Sequence, residues 1–437
     1  MNYTRRAMMK DGLLAVSAGM IMPSVFARAV RAAQNAAREG DTWAQAALGR
    51  TLVVVQMAGG NDGLNTIVPY TDPNYKSARP TLALGADQVL DLNGRLGFHP
   101  ALAALQPLWN AHKLAVVEGV GYPNSSLSHF TAMDIWQTVD VDGQGRSTKG
   151  GWLGNYAKYL GGMIDENGHP FTTLAVGSTL PTALRALNVD VPVVSANTSE
   201  YRLLPDPASK DISAADARIQ TLLKLYNTYP KSAPYAALLD ATAQSAVAGS
   251  KQLADAVSSY KTTVKYPTSN FAKGLQVLAE AIVQKLGLRV GYVTIGGFDT
   301  HADQDTKTTT TPGHHSGLLT DLAEGLAAFY SDLTAHGMAD DVIVMTWSEF
   351  GRRVHENGSR GTDHGTAAPL FVLGKPVLGG IYGEPPDLSS ASLDHNGNLV
   401  NTVDFRSIYA TVLDWLGAPS ASVLGQSFSD QKFLPVG

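Results

Sequence analysis

The sequence predicts an α/β protein built on a mainly parallel sheet with helices on both faces. Three observations predict it. Apolar runs of strand length recur along the chain, helix-period segments separate them, and polar clusters rich in Gly, Asp, Ser or His follow several of the strands. Strands buried on both faces read as near-continuous apolar runs, and sheets of this kind collect ligands beyond the carboxyl ends of their strands.

The elements fall in order. Thr51 to Met57 reads as a buried strand and ends in Gly59-Gly60-Asn61-Asp62-Gly63. Pro100 to Asn110 has a helical pattern, Leu114 to Glu118 is a strand, and Ser128 to Thr138 is an amphipathic helix behind a serine-rich start. Phe171 to Val176 is a strand. From Ile212 to Leu286 apolar residues recur at three- and four-residue spacing, so this stretch predicts a mainly helical insertion. Alternation then resumes: strand Val290 to Ile295, helix Gly317 to His336, strands Asp341 to Thr346 and Pro369 to Leu373, and helix Phe405 to Leu416. No internal repeat interrupts this order.

Bulk composition sets limits on function. Of 437 residues, 44% are hydrophobic and 16% charged, which is ample for a core and excludes a wholly disordered chain. The absence of Cys excludes disulfide scaffolds, thiolate metal sites and Cys nucleophiles. A formal charge of −5 with no basic run beyond the N-terminus argues against nucleic-acid binding as the main role.

Residues 1–29 predict an export signal. Arg5-Arg6 precede a mild apolar run from Gly12 to Phe26, and Ala27-Arg28-Ala29 supplies a small-residue cleavage site. The arginine pair points to the twin-arginine translocation machinery and a periplasmic or secreted destination. The apolar run is short and carries Ser, Gly and Pro, so no stable membrane span is expected. Residues 30–437 then form a single α/β domain with its helical insertion at about 212–286.

Four polar clusters are candidates for chemistry. Gly59-Gly60-Asn61-Asp62-Gly63 combines a sharp turn with a hard oxygen donor at Asp62. Asn124 to His129 places Ser126, Ser128 and His129 at a helix start, where free N–H groups and the positive dipole end favour an anionic substrate. Gly296 to His301 carries Asp299 and His301, two apart in one loop, able to share a metal. Ser348 to Arg353 and Gly361 to Thr366 bring Glu349, Arg352, Asp363 and His364. Clusters after several strands of one sheet predict a site assembled from several loops, with Asp62, Asp299, Glu349 and His364 in one pocket.

Taken together, the twin-arginine start, GGNDGLN at 59–65, SHF at 128–130, GFDTH at 297–301 and SEFGR at 348–352 resemble the exported bacterial family of unknown function numbered 1501. That family is similar in turn to the alkaline phosphatase and sulfatase superfamily, and residues 403–417 resemble the final sulfatase helix. The resemblance implies an alkaline phosphatase-like fold. It also implies Asp62 as a metal-binding Asp, Ser128 as nucleophile with Ser126 as fallback, and Asp299 and His301 as ligands of one metal. His301 follows Asp299 at Asp-x-His spacing where the superfamily has Asp-x-x-x-His. Glu349-Phe350 falls where an Asp-His pair ends a strand, and His364 resembles the last histidine ligand. After Ser125, Ser126 and Ser128 there is no Pro two residues on and no Arg four residues on, and no Cys exists, which argues against a formylglycine sulfatase.

The expected function is a metal-dependent hydrolase acting on small anionic phosphate or sulfate esters. Ser128 would attack, His129 would donate a proton or orient the serine, and Arg352 would steady developing charge. The alternative is a non-catalytic exported protein serving in binding or envelope assembly. Among the candidate ligands the carboxylates Asp62, Asp299 and Glu349 outnumber the imidazoles His301 and His364. That mix predicts a divalent ion in which calcium, magnesium or manganese is tolerated over zinc.

Overall fold

The computed structural model describes residues 49–143, 150–160, 171–186, 189, 191–197, 251–305, 313–385 and 387–435, with scattered residues between 220 and 249. The export signal and residues 30–48 lie outside the described residues, as does most of 212–250.

Fourteen strands are described: β1 (Thr51–Ala58), β2 (Ile67–Val68), β3 (Leu90–Asp91), β4 (Gly97–Phe98), β5 (Leu114–Gly121), β6 (Thr173–Val176), β7 (Val193–Val194), β8 (Val290–Gly296), β9 (Val342–Trp347), β10 (Arg352–Glu356), β11 (Thr362–His364), β12 (Ala368–Leu373), β13 (Gly380–Tyr382) and β14 (Val403–Asp404). Nine make one sheet in the order β13-β5-β12-β9-β1-β8-β6-β7, with β14 paired to β5. The mainly parallel sheet predicted from the apolar runs is the one observed: β1 pairs in parallel with both β8 and β9, and β12 alone runs antiparallel to its neighbours. β2, β3 and β4 form a small side sheet, and β10 and β11 form a hairpin over the sheet's end.

Alternation along β1 explains the two-faced core. Val53, Val55 and Met57 point into one apolar cluster, and Leu52 and Val54 into the other. The helices that matter below are α1 (His129–Thr138), α2 (Trp152–Tyr159), α3 (Asn270–Val283), α4 (His314–Ala335) and α5 (Phe405–Trp415). Phe271, Leu275 and Leu278 of α3 and Leu319, Leu322 and Leu326 of α4 cover the first face. Leu153 and Tyr156 of α2 and Ile408, Tyr409 and Leu413 of α5 cover the second.

Two helices depart from the pattern expected of them, each for a local reason. The segment predicted as one helix from Pro100 to Asn110 is a 3-10 turn over Pro100–Leu105 followed by a short α-turn over Gln106–Asn110. Pro107 has no N–H to continue the ladder, so the first turn tightens instead. Helix α4 starts three residues earlier than its periodicity suggests. Asp305, nine residues before the first residue of α4, accepts from the Ser316 N–H at 2.9 Å and hydroxyl at 2.6 Å, a cap supplied from outside the helix.

Candidate metal centre

The loops after β1, β5, β8 and β9 leave the same end of the sheet, and the β10–β11 hairpin folds over them. Gly59 and Gly60 make this close assembly feasible. Both have positive φ, 122° and 75°. A Cβ on Gly59 would lie 2.4 Å from the Asp299 backbone nitrogen, and one on Gly60 would lie 2.3 Å from the Phe350 ring. The glycines thus admit the neighbouring loops rather than a ligand. Gly59→Ala is expected to cost more than about 2 kcal/mol of stability, through left-handed strain and displacement of the Asp299 loop. A denaturant midpoint equal to wild type would refute that.

Four side chains converge where these loops meet. His364 Nε2 and His301 Nε2 each lie 3.1 Å from Asp299 Oδ1, and His129 Nε2 lies 3.4 Å from Asp299 Oδ2. His129, Asp299 and His364 offer three ligand atoms within 4.8 Å of one another. His301 Nε2 is also 2.9 Å from His364 Nε2.

The far nitrogens of all three rings face acceptors. His129 Nδ1 meets Glu349 Oε1 at 2.8 Å, His364 Nδ1 meets the Leu127 carbonyl at 2.8 Å, and His301 Nδ1 meets Asp363 Oδ1 at 3.2 Å. An acceptor at Nδ1 takes the ring proton there and leaves a lone pair at Nε2. Three lone pairs and a carboxylate then face one another. The close pair of Nε2 atoms on His301 and His364 repels in the absence of a cation, and His129 Nε2 is buried without a hydrogen-bond partner. This donor set fits a divalent metal ion, and outer partners on every imidazole are the usual accompaniment of metal-binding histidines.

Electrostatics agree. Burial raises the Asp299 carboxyl, but the hydrogen bond and the charge of Arg352 outweigh it and hold it at about 2. Burial pushes the His364 imidazole down, toward the neutral ligand form. Asp299 and His301 remain close to half exposed, so one side of the cluster is open to solvent.

Arg352 is placed differently from the role expected of it. Its guanidinium is buried and donates to the carbonyls of Gly59, Gly60, Phe298 and Thr362 and to Asp299 Oδ1 at 2.7 Å. It holds the loops and the Asp299 carboxylate, with its donors already committed.

Asp62 stands apart from the cluster. Its Oδ2 pairs with Arg79 at 2.6 Å, both side chains fully buried, and accepts from Gln304 at 2.6 Å. Arg79 also donates to Asn65 Oδ1 and to the carbonyls of Arg353 and Val354. Burial raises the Asp62 carboxyl, but the Arg79 charge and hydrogen bond more than compensate, leaving it below the usual range. That pairing joins the 62–65 turn to β10; of the four residues predicted to share a pocket, Asp299 and His364 belong to the donor group with His129, Glu349 touches it through His129, and Asp62 is not among its members. Glu349 lies in contact with the cluster through His129 and is itself fully buried.

Ser128 is the exposed N-cap of α1, and its side chain makes no capping hydrogen bond. Ser126 Oγ accepts from the Ser128 N–H at 3.3 Å. Arg79, the Leu127 carbonyl and Asp363 as an outer partner were not expected from sequence. Only Asp363 had a local signal, as the neighbour of His364.

The family described as "Protein of unknown function (DUF1501)" matches residues 109–429. Among solved structures, the chain is similar to the lipoteichoic acid synthase LtaP from Listeria monocytogenes, at 11% identity over 89% of this chain and 75% of that one, with a TM-score of 0.37. It is similar to a protein in the alkaline phosphatase superfamily from Vibrio parahaemolyticus, at 9% identity over 89% and 70%, with a TM-score of 0.36. It is also similar to the PsFucS1 sulfatase from Pseudoalteromonas sp., at 12% identity over 95% and 78%, with a TM-score of 0.34. No curated protein sequence matches.

Proposed function

We propose, on the premise that this chain belongs to the DUF1501 family, that it is an exported metal-dependent hydrolase of phosphate or sulfate esters. The observation that carries the reading is the convergence of three imidazole Nε2 atoms on the Asp299 carboxylate, each ring tied off at Nδ1.

The ligand set in this reading is His129, His301, His364 and Asp299. Asp62 and Glu349 are left out of it because Asp62 Oδ2 pairs with Arg79 and Glu349 Oε1 faces His129 Nδ1, and neither belongs to the His129–Asp299–His364 donor group. Imidazoles then outnumber carboxylates, which favours zinc or a neighbouring transition metal over calcium or magnesium. The bound ion would neutralise the substrate anion and lower the pKa of an attacking oxygen. Ser128, exposed and one residue from His129, supplies the nucleophilic hydroxyl. The first N–H groups of α1, a ten-residue helix, would face the anionic group. Arg352 acts by fixing Asp299. Arg5-Arg6 would direct export, and no helix among the described residues is long and apolar enough to cross a membrane.

Elemental analysis of the purified protein, followed by aryl phosphate and aryl sulfate substrates, tests this. About one equivalent of a transition metal is expected. Chelation is expected to lower the melting temperature by several degrees, since an ion bound only to the native state stabilises it. Asp299→Ala is expected to abolish both the metal and the chelator effect, and Ser128→Ala to lose turnover while keeping the metal. A melting curve indifferent to chelator, with no metal present, would sink the reading. The hydrogen bonding of all three Arg352 guanidinium nitrogens to the loops and to Asp299 favours one alternative, a metal-binding protein without catalysis. Metal retention with no turnover on either substrate class would decide for it.

A further inference from the structure

Glu349 sits two residues past the end of β9, sealed from solvent, and one of its oxygens does double duty. Oε1 accepts from the Gly59 N–H at 2.9 Å and faces His129 Nδ1 at 2.8 Å. The Ser348 hydroxyl lies 3.4 Å from Oε2 and is itself held by the Met57 carbonyl at 2.7 Å. The His129 ring is packed between the rings of Phe350 and His364, with centroids at 4.9 and 4.5 Å. Packing fixes the plane of that ring but does not choose which nitrogen carries the proton. A buried carboxylate at Nδ1 does choose: it has no other way to satisfy that oxygen on the histidine side, and it takes the N–H. The Gly59 N–H reaches the same oxygen only because the backbone there has φ 122°, which a side chain would oppose.

We propose that Glu349 is a positioning residue that holds His129 with its proton on Nδ1, so that the Nε2 lone pair faces Asp299 as a metal ligand. This rests on the metal-centre reading and assigns Glu349 an indirect part in it.

Two measurements test it. Nitrogen-15 spectra of the histidine rings in chelator-treated protein report the tautomer without any metal. Wild-type His129 is expected as the Nδ1–H form, and Glu349→Ala as a mixture of both forms. Zinc affinity, read by competition with a chromogenic chelator, is expected to fall by about 10–100-fold in Glu349→Ala. In Glu349→Gln, which keeps the shape and a carbonyl acceptor, it should fall by less than about tenfold with the tautomer retained. A Glu349→Ala protein with the wild-type tautomer and affinity overturns the proposal. So does complete loss of zinc in Glu349→Gln equal to that of Asp299→Ala, because Glu349 would then be a direct ligand. If wild-type protein binds no zinc but the tautomer still depends on Glu349, the positioning stands and the metal-centre reading fails.

Discussion

Arg79→Ala is expected to lower the unfolding free energy by roughly 3–5 kcal/mol, because it leaves the Asp62 carboxylate buried and unpaired. Asp62→Ala should cost a similar amount by stranding the guanidinium. The double variant should lose less than the sum, since each single change already breaks the same contact. Chelator should leave these differences unchanged, because the pair at 2.6 Å lies outside the His129–Asp299–His364 cluster. Urea unfolding of the three variants, with and without chelator, checks this. If Asp62→Ala instead lost its metal and kept its stability, Asp62 would return to the ligand set that the sequence predicts for it. The sign with pH also follows. The folded Asp62 carboxyl lies below its ordinary value, so the pair's stabilisation is present above the unfolded pKa and lost as pH falls through the folded one.

Glu118→Gln is expected to change stability in the opposite pH direction. Glu118 lies on β5, fully buried beside Gly63, Leu64, Ala367 and Leu399, with Oε1 lacking a hydrogen-bond partner. Burial pushes its carboxyl up to about 8. Between the unfolded value near 4.5 and the folded value near 8, the folded protein holds the proton and the unfolded chain does not. Stability therefore falls as pH rises through that window, by roughly 5 kcal/mol in total. Glutamine mimics the protonated form and removes this slope, so the variant should overtake wild type at pH 8 and approach it at pH 5. Burial lifts Glu280 to about 7, with a contribution of the same sign, which leaves part of the slope in place. Equal pH dependence in Glu118→Gln and wild type would contradict the account.

Much of the scaffold was legible because it rests on local patterns. Apolar runs at Thr51–Met57, Val290–Ile295 and Asp341–Thr346 predict strands of a mainly parallel sheet buried on both faces, and the strands observed there are neighbours at its centre. The candidate residues Asp299 and His301 could be named for the same reason, as donors on the loop after β8, whereas His364 ends strand β11 of the hairpin. What sequence patterns do not carry is the choice of partner. Nothing near Asp62 announces Arg79, and nothing near Arg352 announces four carbonyls from three separate stretches. Buried charges find partners through the tertiary fold, across 17 residues for Asp62 and Arg79 and 237 for His364 and the Leu127 carbonyl. The proposed metal preference turns on this: with His129 in the donor group and Asp62 outside it, a set expected to be rich in oxygen is proposed to be rich in nitrogen.

The planar fork of Arg352 has a consequence for how this protein can be varied. It grips the backbones of the Gly59–Gly60 turn, the Phe298 loop and Thr362 simultaneously. Lysine, with a single ammonium, cannot reproduce that pattern. None of the three segments can therefore be exchanged or lengthened alone without unsettling the other two. Engineering of new specificity is expected to succeed in the 123–127 segment and around Ala302 and Asp303, where no carbonyl is gripped by this guanidinium. A library randomised there should yield folded variants far more often than one randomised within 59–63.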